Sequence, residues 1–393
     1  MLFFCRYLSL VKAVCMEIFF FICLGLIAFT YFGYPIILTL VTIGRKEPDH
    51  TCTDPKERVT FIISAHNERD FIGKKIRNSL ELDYPSDLLE IVVASDGSTD
   101  GTQDVVRGFS DQGVKLVDIP AHVGKTAAQN LAVKESHGDI LVFSDANALY
   151  DSNAIRELVR LFSDDSVGCV CGELSYRDNS SSVGKSESAY WRYEQFCKKR
   201  ESLLGSLLGV NGAIYAVKRT CFVDLDSRVI SDFILPMEIY AQGKKILYTS
   251  RAVAVEDPSV SFGNEFRRKK RIIVRSLFGL SRNLRFLNTF KFGFFSFELW
   301  SHKLIRWFVP FLLIGMAVSN LALLNNLFFQ VTGVIQAVFY LLAVIGAVGG
   351  ESVRSLFIVY IPYYFSMINI AAFLAFIEFM KGERYDRWTT ARN

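Results

Sequence analysis

The chain has 393 residues, 51% of them hydrophobic, and a formal net charge of +4. This length exceeds one ordinary domain, and so small an excess of positive charge argues against a nucleic-acid partner. The eight cysteines are not spaced as a disulfide framework or as paired zinc ligands, so they indicate thiols in a reducing compartment.

The first predicted element is a membrane helix. No charged residue lies between Glu17 and Arg45, and such a stretch of roughly 27 residues is long enough to span a bilayer. A secretory signal peptide is the alternative, but the run is too long for one and no small-residue cleavage site follows it. We therefore assign residues 1–46 to an uncleaved N-terminal transmembrane helix.

The C-terminal third is predicted to cross the membrane several times. Trp307–Gly350 carries no charge and is long enough for two spans, with a turn near Asn325 and Asn326; Leu356–Ile377 is a further apolar stretch. We expect transmembrane helices in residues 304–380, which gives about four spans in all. A basic tail, residues 381–393, follows.

The orientation of the soluble middle region is predicted from its basic residues. The cluster Arg267–Arg271 lies close to the second span and places this region in the cytoplasm, as the basic tail should also be. One span before the region and three after it would put the tail outside. Either the tail is an exception to the rule that basic segments stay in the cytoplasm, or one apolar stretch does not cross the membrane. The amphipathic segment 286–303 is suited to lying in the membrane interface.

Strands and helices alternate in the middle region, which we delimit as residues 56–285. The predicted strands are Val59–Ile63, Glu90–Ala94, Val114–Val117 and Ile140–Ser144, separated by helices over 69–80, from Asp100 and over 125–134. This order predicts an α/β domain with a mostly parallel sheet covered by helices. In such sheets, ligands bind beyond the carboxyl ends of the strands.

Polar clusters follow three of these strands and should meet at that edge. They are residues 64–68, residues 95–97, and Asp145 with Asn147. A carboxylate and an amide oxygen two positions apart can hold a hard divalent cation against a diphosphate. An ordinary strand-end turn can also read Asp-x-Asn.

Several motifs occur together in a specific order. They are Ser64-Ala65-His66-Asn67-Glu68, Ser95-Asp96-Gly97-Ser98-Thr99-Asp100, Gly124-Lys125 with Asn130, Asp145-Ala146-Asn147, Ser231-Asp232-Phe233-Ile234-Leu235-Pro236 and Arg268-Lys269-Lys270-Arg271-Ile272. From about Val59 to Ser276 the chain resembles a membrane-integrated family 2 glycosyltransferase of GT-A fold, the plan of cellulose and hyaluronan synthases. The resemblance implies a Rossmann-like, mostly parallel catalytic domain joined to transmembrane α-helices. It departs from the family pattern at Asn147, where a carboxylate is usual, and at Arg268 and Ile272, where Gln and Trp are usual.

The resemblance also implies roles for individual residues. Asp232 is the general base, and Arg271 grips the pyrophosphate as charge develops. Nucleotide-sugar contacts are assigned to Ala65, Asn67, Glu68, Asp96, Lys125, Asp145 and Arg268; acceptor contacts to Asn211, Gly212 and Trp191; and Mg²⁺ or Mn²⁺ ligation to Asp145 and Asn147.

Structural alternatives remain for several of these assignments. Glu68 is also suited to starting its helix, and Asn211 with Gly212 to an ordinary turn. Asp96 is also suited to an Asx turn that caps the next helix. Asp232 is also suited to N-capping near a helix over Met237–Gly243, with Leu235 and Pro236 as its kinked start. Arg268 and Arg271 are also suited to lipid headgroups. His66 and His122 lack ligand-pair spacing and are interpreted as structural.

The function expected from these features is sugar transfer at the membrane. We expect an integral protein of the cell or inner membrane whose catalytic domain faces the cytoplasm. It would be an inverting, metal-dependent enzyme that uses a nucleotide sugar, expected to be a UDP-sugar, and a lipid-linked or glycan acceptor. The alternatives are a processive polysaccharide synthase with export and a catalytically weak nucleotide-binding regulatory or scaffold protein. A transporter is disfavoured because intramembrane charges are few. The pattern leaves the sugar, the linkage and the oligomeric state open.

Overall fold

The computed structural model describes residues 2–47, 56–177, 182–257, 261–383 and 385. Within these residues, eight strands form one sheet in the order β3-β2-β1-β4-β7-β6-β8-β5. The strands are β1 (Val59–Ala65), β2 (Leu89–Asp96), β3 (Lys115–Ile119), β4 (Ile140–Asp145), β5 (Leu149–Tyr150), β6 (Val167–Tyr176), β7 (Tyr215–Lys218) and β8 (Lys245–Glu256).

Helices cover the sheet and continue into the apolar C-terminal part. They are α1 (Leu2–Ala28), α2 (Tyr34–Val41), α3 (Arg69–Leu80), α4 (Thr102–Arg107), α5 (Lys125–Lys134), α6 (Ala154–Val159), α7 (Ser182–Ser202), α8 (Ser231–Ala241), α9 (Phe262–Ser281), α10 (Thr289–Phe292), α11 (Phe294–Glu298), α12 (Ile305–Ala322), α13 (Leu327–Val348), α14 (Glu351–Arg354) and α15 (Phe357–Met380).

The apolar run of β1 forms the centre of the sheet. It pairs in parallel with β2 on one side and β4 on the other, and all seven of its residues are buried. Alternate side chains point to opposite faces, so Ile62 belongs to one hydrophobic core and Phe61 and Ile63 to the other. Each such side chain contributes roughly 1.5–3 kcal/mol by burial.

The predicted α/β architecture is confirmed. Strands β3, β2, β1 and β4 are parallel, as expected for alternating strands and helices. The antiparallel pairing of β7 with β4 and β6 then extends the sheet. The predicted helices over 69–80 and 125–134 have the bounds that the structure shows for α3 and α5.

The helix around Asp232 differs from its prediction. We expected Pro236 to mark its kinked start, but α8 begins at Ser231 and contains Pro236. Proline has no N–H to donate to the carbonyl four residues earlier. That carbonyl, of Asp232, instead accepts from the backbone N–H of Val210 (2.9 Å), so the helix tolerates the proline.

Four helical stretches among the described residues are long and apolar enough to cross a membrane. They are Val11–Val41, Phe294–Ala322, Leu327–Val348 and Phe357–Met380. They have the composition expected of a membrane protein. The predicted basic tail lies largely outside the described residues, and its side of the membrane stays a prediction.

The polar residues of the amphipathic segment contact α7. Lys303, the last residue of the segment, and Arg306, just beyond it in α12, both form ion pairs with Glu194. His302 Nδ1 lies 2.5 Å from Glu201 Oε1. A π-helical turn, Leu299–Leu304, joins α11 to α12. These contacts therefore join the start of α12 to α7. Interfacial placement of residues 286–303 stays a prediction.

Candidate active site

One cavity of about 420 Å³ gathers most of the predicted functional residues. It is bounded by the end of β4 and by side chains of α5, α7, α8, α9, α12 and α15. The predicted residues that line it are Glu68, Lys125, Asp145, Asn147, Trp191, Asn211, Gly212, Asp232, Arg268 and Arg271. The location matches the general rule that parallel sheets bind ligands beyond their carboxyl ends.

Asp145 and Lys125 form an ion pair in this cavity. Asp145 is the last residue of β4, and Lys125 is the first residue of α5. The lysine ammonium donates to Asp145 Oδ1 and lies 3.4 Å from the carbonyl oxygen of Gly212. A cation is unfavourable at a helix N-terminus, and the facing carboxylate offsets that cost. Both side chains remain partly exposed, so a ligand can reach them.

Asp232 is held among charged groups. It lies in the first turn of α8, whose N-cap is Ile230, so the N-capping alternative for Asp232 is wrong. Burial raises the pKa of Asp232, with Asp145 adding to the rise, while the Lys125 and Lys198 ammoniums oppose it. A carboxylate with a raised pKa is a better proton acceptor near neutral pH than an ordinary aspartate.

The raised pKa gives a pH-dependence. If Asp232 must be ionised to act as a base, kcat/KM should fall on the acid side with an apparent pKa above about 3.9, the ordinary value for aspartate. A pH–rate profile with saturating acceptor tests this. A flat profile down to the pH at which the protein unfolds would contradict it.

Gly212 leaves room for the Asp232 carboxylate. A Cβ atom at position 212 would lie 2.8 Å from Asp232 Oδ2 and 3.4 Å from Lys125 Nζ. If Asp232 is the base, we expect Gly212→Ala to lower kcat by about tenfold to a hundredfold, because displacing a reacting group by part of an ångström is enough to do so. The melting temperature should change little, since both contacted atoms end flexible side chains.

The matched control is Gly209→Ala in the same loop. A Cβ atom there meets its nearest neighbour at 3.6 Å, an ordinary contact, so kcat should stay near that of the unmodified protein. Equal losses of kcat in the two variants would show that loop packing, rather than the position of Asp232, sets the rate.

Asp96 lies outside the cavity lining and is buried. Its Oδ1 accepts from the Val123 N–H (2.7 Å), and its Oδ2 accepts from the Gly124 N–H (2.9 Å) and lies 2.9 Å from His122 Nδ1. Gly97 has a φ of +61°, and a Cβ atom there would lie 2.5 Å from the backbone nitrogen of His122. The carboxylate therefore holds the loop that leads into α5, a role different from capping the next helix.

Ala65 and Asn67 also lie outside the cavity lining. Ala65 ends β1 and is buried, while Asn67 Oδ1 accepts from the Thr99 N–H (2.8 Å). The rings of His66 and His122 stack at 3.8 Å, beside Asp96. These residues form the edge next to the cavity, and their nucleotide contacts stay predictions.

The arginines of α9 have different surroundings. Arg268 donates to Glu265 (2.8 Å). Arg275 is buried and donates to Thr126 Oγ1 (3.2 Å) and the Ser227 carbonyl (3.0 Å), so it joins α9 to α5. Burial lowers the pKa of Arg271, Arg268 lowers it further, and Asp145 opposes this. A desolvated guanidinium beside a second cation favours a bound anion.

The predicted acceptor residues have internal partners. Asn211 Nδ2 donates to the Gly172 carbonyl (2.6 Å), and its Oδ1 accepts from Lys198. The indole N–H of Trp191 donates to the Leu174 carbonyl (2.6 Å), and the Lys198 ammonium lies 5.4 Å from its ring centroid. Asn211 therefore fixes the loop and Lys198, and its acceptor contact stays a prediction.

Sequence reasoning missed several cavity residues, including Lys198, Glu256 and Trp307. Lys198 could have been found, because Trp191, Glu194 and Lys198 recur at helical spacing on α7 and share one face. Trp307 comes from a different part of the chain and gave no local signal.

Residues 60–222 match the model of glycosyl transferase family 2. They form a family 2 glycosyltransferase domain. The matched part includes Glu68, Lys125, Asp145 and Asn147, whereas Asp232 and the arginines of α9 lie beyond it. The interpretation of those later residues depends on the geometry of the cavity.

Relatives of the family 2 domain include bacterial synthases. The poly-β-1,6-N-acetyl-D-glucosamine synthase of Staphylococcus aureus strain MSSA476 is 26% identical over 255 residues, 61% of this chain and 61% of that protein. The synthase of the same name from Staphylococcus epidermidis strain ATCC 35984 is 26% identical over 204 residues, 50% of this chain and 49% of that protein. The chain therefore matches less than two thirds of these relatives' length.

A solved structure shares the fold of the family 2 domain and of most of the remaining chain. A mannosyltransferase from Pyrobaculum calidifontis, in complex with GDP-Man and Mn²⁺, superimposes with a TM-score of 0.67 at 22% identity. The match covers 90% of this chain and 99% of the other. The likeness extends to the helices outside residues 60–222.

Proposed function

We propose that this protein is an inverting glycosyltransferase that moves a sugar from a nucleotide sugar to a lipid-linked or glycan acceptor at the membrane. The observation that carries the proposal is the placement of Asp232, Lys125 and Asp145 in one cavity beyond the sheet. This cavity also contacts the membrane helices through Ile368 and Ala372 of α15. A substrate site bounded by an apolar helix suits an acceptor held at the bilayer.

Asp232 acts as the general base. Its carboxylate takes the proton from the acceptor hydroxyl as the oxygen forms a bond to the anomeric carbon and the bond to the nucleotide diphosphate breaks. A single displacement of this kind inverts the anomeric configuration and forms no covalent enzyme intermediate. The raised pKa of Asp232 suits this task.

The donor diphosphate is held by cations. Lys125 pairs with Asp145 in the cavity, Arg271 interacts electrostatically with the same carboxylate, and Arg268 continues the cationic surface of α9. Guanidinium groups bind phosphate oxygens in a bidentate manner and stabilise charge as it develops on the leaving group. Glu68 also lines the cavity, and we assign it a contact with the nucleotide.

The residues present fit a divalent cation that is shared with the substrate. No group of three His, Cys, Asp or Glu ligands occurs in the part of the chain that the structure describes. Mg²⁺ and related ions need few protein ligands when substrate phosphates and water complete the shell. Asp145 and Asn147 would hold Mg²⁺ or Mn²⁺, which would neutralise the leaving diphosphate.

Restoring a second carboxylate should strengthen metal binding. Asn147→Asp places a second negatively charged metal ligand beside Asp145. We expect the affinity for Mn²⁺ in the presence of UDP to rise by about tenfold, roughly 1.4 kcal/mol. Calorimetry measures this affinity directly. The exposed Asn153 provides the control Asn153→Asp, which should leave it unchanged. Unchanged or weaker binding in Asn147→Asp would remove residue 147 from the metal site.

A processive synthase is the second candidate function. The staphylococcal relatives are named as poly-β-1,6-N-acetyl-D-glucosamine synthases, which favours chain extension with N-acetylglucosamine. Product length under saturating donor separates this from the addition of one or few sugars. We further propose that the cavity faces the cytoplasm, where nucleotide sugars are made, as the basic residues of α9 predict.

Nucleotide release by the detergent-purified protein tests the proposed function. The donors are UDP-N-acetylglucosamine, UDP-glucose, UDP-galactose and GDP-mannose, each with Mg²⁺, Mn²⁺ or EDTA. We expect metal-dependent release from one donor, increased by membrane lipid extract or by oligosaccharides. No release with any donor and acceptor, together with retained UDP binding, would favour the regulatory or scaffold alternative.

A further inference from the structure

Lys75 is a fully buried lysine behind the proposed metal ligands. It lies on α3 and is 0% exposed. Its ammonium donates to the carbonyl of Ala148, and the backbone N–H of Ala148 donates to the carbonyl of Asp145 (3.3 Å). Lysine is almost never fully buried unless its charge is paired. The groups around Lys75 therefore decide what its charge can do.

The ammonium form of Lys75 is stabilised from several sides. Its Nζ lies 4.1 Å from the ring centroid of Tyr150 and 4.7 Å from that of Phe61, within the range of cation–π attraction. Burial lowers the pKa of Lys75, whereas the carboxylates of Asp145 and Glu256 oppose this. Both carboxylates line the cavity, so the lysine places a positive charge directly behind its wall.

The segment that follows β4 is also held by contacts that carry no charge. Asn78 of α3 accepts from the backbone N–H of Tyr150 (2.8 Å) and donates to the carbonyl of the same residue (2.9 Å). The Tyr150 hydroxyl donates to the carbonyls of Phe143 (3.2 Å) and Ala213 (3.0 Å). The position of this segment therefore does not require a buried charge, and the charge of Lys75 needs a reason of its own.

Asp145 is surrounded by cations. Lys125 donates to its carboxylate, and both Arg271 and Lys75 interact with it electrostatically. Its proposed partner in metal binding, Asn147, offers an oxygen without a charge. Eight lysine and arginine residues but only six aspartate and glutamate residues line the cavity, and Lys75 adds a further cation behind them. Repulsion from these cations offsets the attraction of Asp145 for a free divalent ion, whereas a diphosphate brings the missing negative charge.

We propose that Lys75, together with Lys125, makes the site selective for a divalent cation that is bound to a nucleoside diphosphate and disfavours the free cation. This inference rests on the proposed function and specifies the form in which the donor is bound. Lys75 is buried behind the cavity lining, so it is a positioning residue that acts through Asp145 and Ala148.

Calorimetry with Mn²⁺ alone, and with Mn²⁺ in the presence of UDP or GDP, tests this in the full-length protein. We expect the unmodified protein to bind Mn²⁺ at least about tenfold more tightly with a nucleotide than without one. Lys75→Met keeps the length of the side chain but removes its charge, so it should raise the affinity for Mn²⁺ alone by about tenfold. The matched control is Lys74→Met, at the exposed neighbouring position of α3, which should leave this affinity unchanged.

Asn78→Ala separates the charge of Lys75 from its packing. Loosening the segment after β4 without changing a charge should weaken the binding of Mn²⁺, whereas Lys75→Met should strengthen it. If Lys75→Met does not fold, Lys125→Met replaces it, because the Lys125 side chain is partly exposed. This variant should also bind Mn²⁺ alone more tightly, while its affinity for UDP or GDP should fall.

The outcomes distinguish this inference from the proposed function. Unchanged or weaker binding of Mn²⁺ alone in Lys75→Met, or in Lys125→Met where that variant replaces it, would overturn the inference. Equally tight binding of Mn²⁺ with and without nucleotide in the unmodified protein would also overturn it, and glycosyl transfer would stand. Failure of the unmodified protein to bind either nucleotide, with or without Mn²⁺, would instead contradict the proposed function.

Discussion

Asp232→Asn should lower the transfer rate by about a hundredfold to ten-thousandfold, the range for removal of a general base. Asparagine keeps the size of the side chain but cannot accept the acceptor proton. The carboxylate lies near Lys125 and Lys198, so its loss should weaken neither cation's attraction for phosphate. We therefore expect nucleotide affinity, measured by calorimetry, to be kept or slightly increased while turnover is lost.

The control for this change is Asp224→Asn. Asp224 is about half exposed and pairs with Lys134, away from the cavity, so its replacement should leave turnover near normal. Retention of most activity in Asp232→Asn would assign the base to another residue. Loss of both nucleotide binding and thermal stability would indicate that Asp232 mainly supports α8.

Asp145→Ala should have the second largest effect. The change removes the only carboxylate of the proposed metal pair and the partner of Lys125. We expect turnover to fall by at least about a hundredfold, because metal stabilisation of developing charge supplies several kcal/mol. The residual rate should no longer respond to Mn²⁺ or EDTA, and a metal titration of the rate measures this.

Asp151→Ala serves as the comparison for Asp145→Ala. Asp151 is exposed just beyond β5, so it should keep both its rate and its metal response. If Asp145→Ala keeps a full response to metal, the cation binds elsewhere in the chain. If turnover survives without metal in the unmodified protein, Lys125 and Arg271 alone neutralise the diphosphate.

The sheet and its functional edge could be predicted from the sequence because both depend on local patterns. The continuous apolar run of β1 indicates a strand buried on both faces, and the structure buries every residue of it. Polar residues at the end of β4 and just beyond it lie at the carboxyl edge of the sheet. For this reason Asp145 and Asn147 line the cavity as expected.

Other features depend on partners that are distant in the chain. The start of α8 could not be predicted from local sequence, because the carbonyl of Asp232, which Pro236 leaves without its helical donor, accepts from the distant Val210 N–H. The binding of Asp96 to the loop at Val123 and Gly124 depends on how β2 and α5 meet. Trp307 reaches the cavity only through the packing of α12, which no local pattern specifies.

The anomeric configuration of the first product tests the central claim most directly. Sugar would be transferred from the active donor in a short incubation, and the new linkage examined by NMR before any further reaction. A single displacement assisted by Asp232 predicts a configuration opposite to that of the donor, with no labelled enzyme intermediate. Retention of the donor configuration, or release of free sugar without any transfer, would contradict the account.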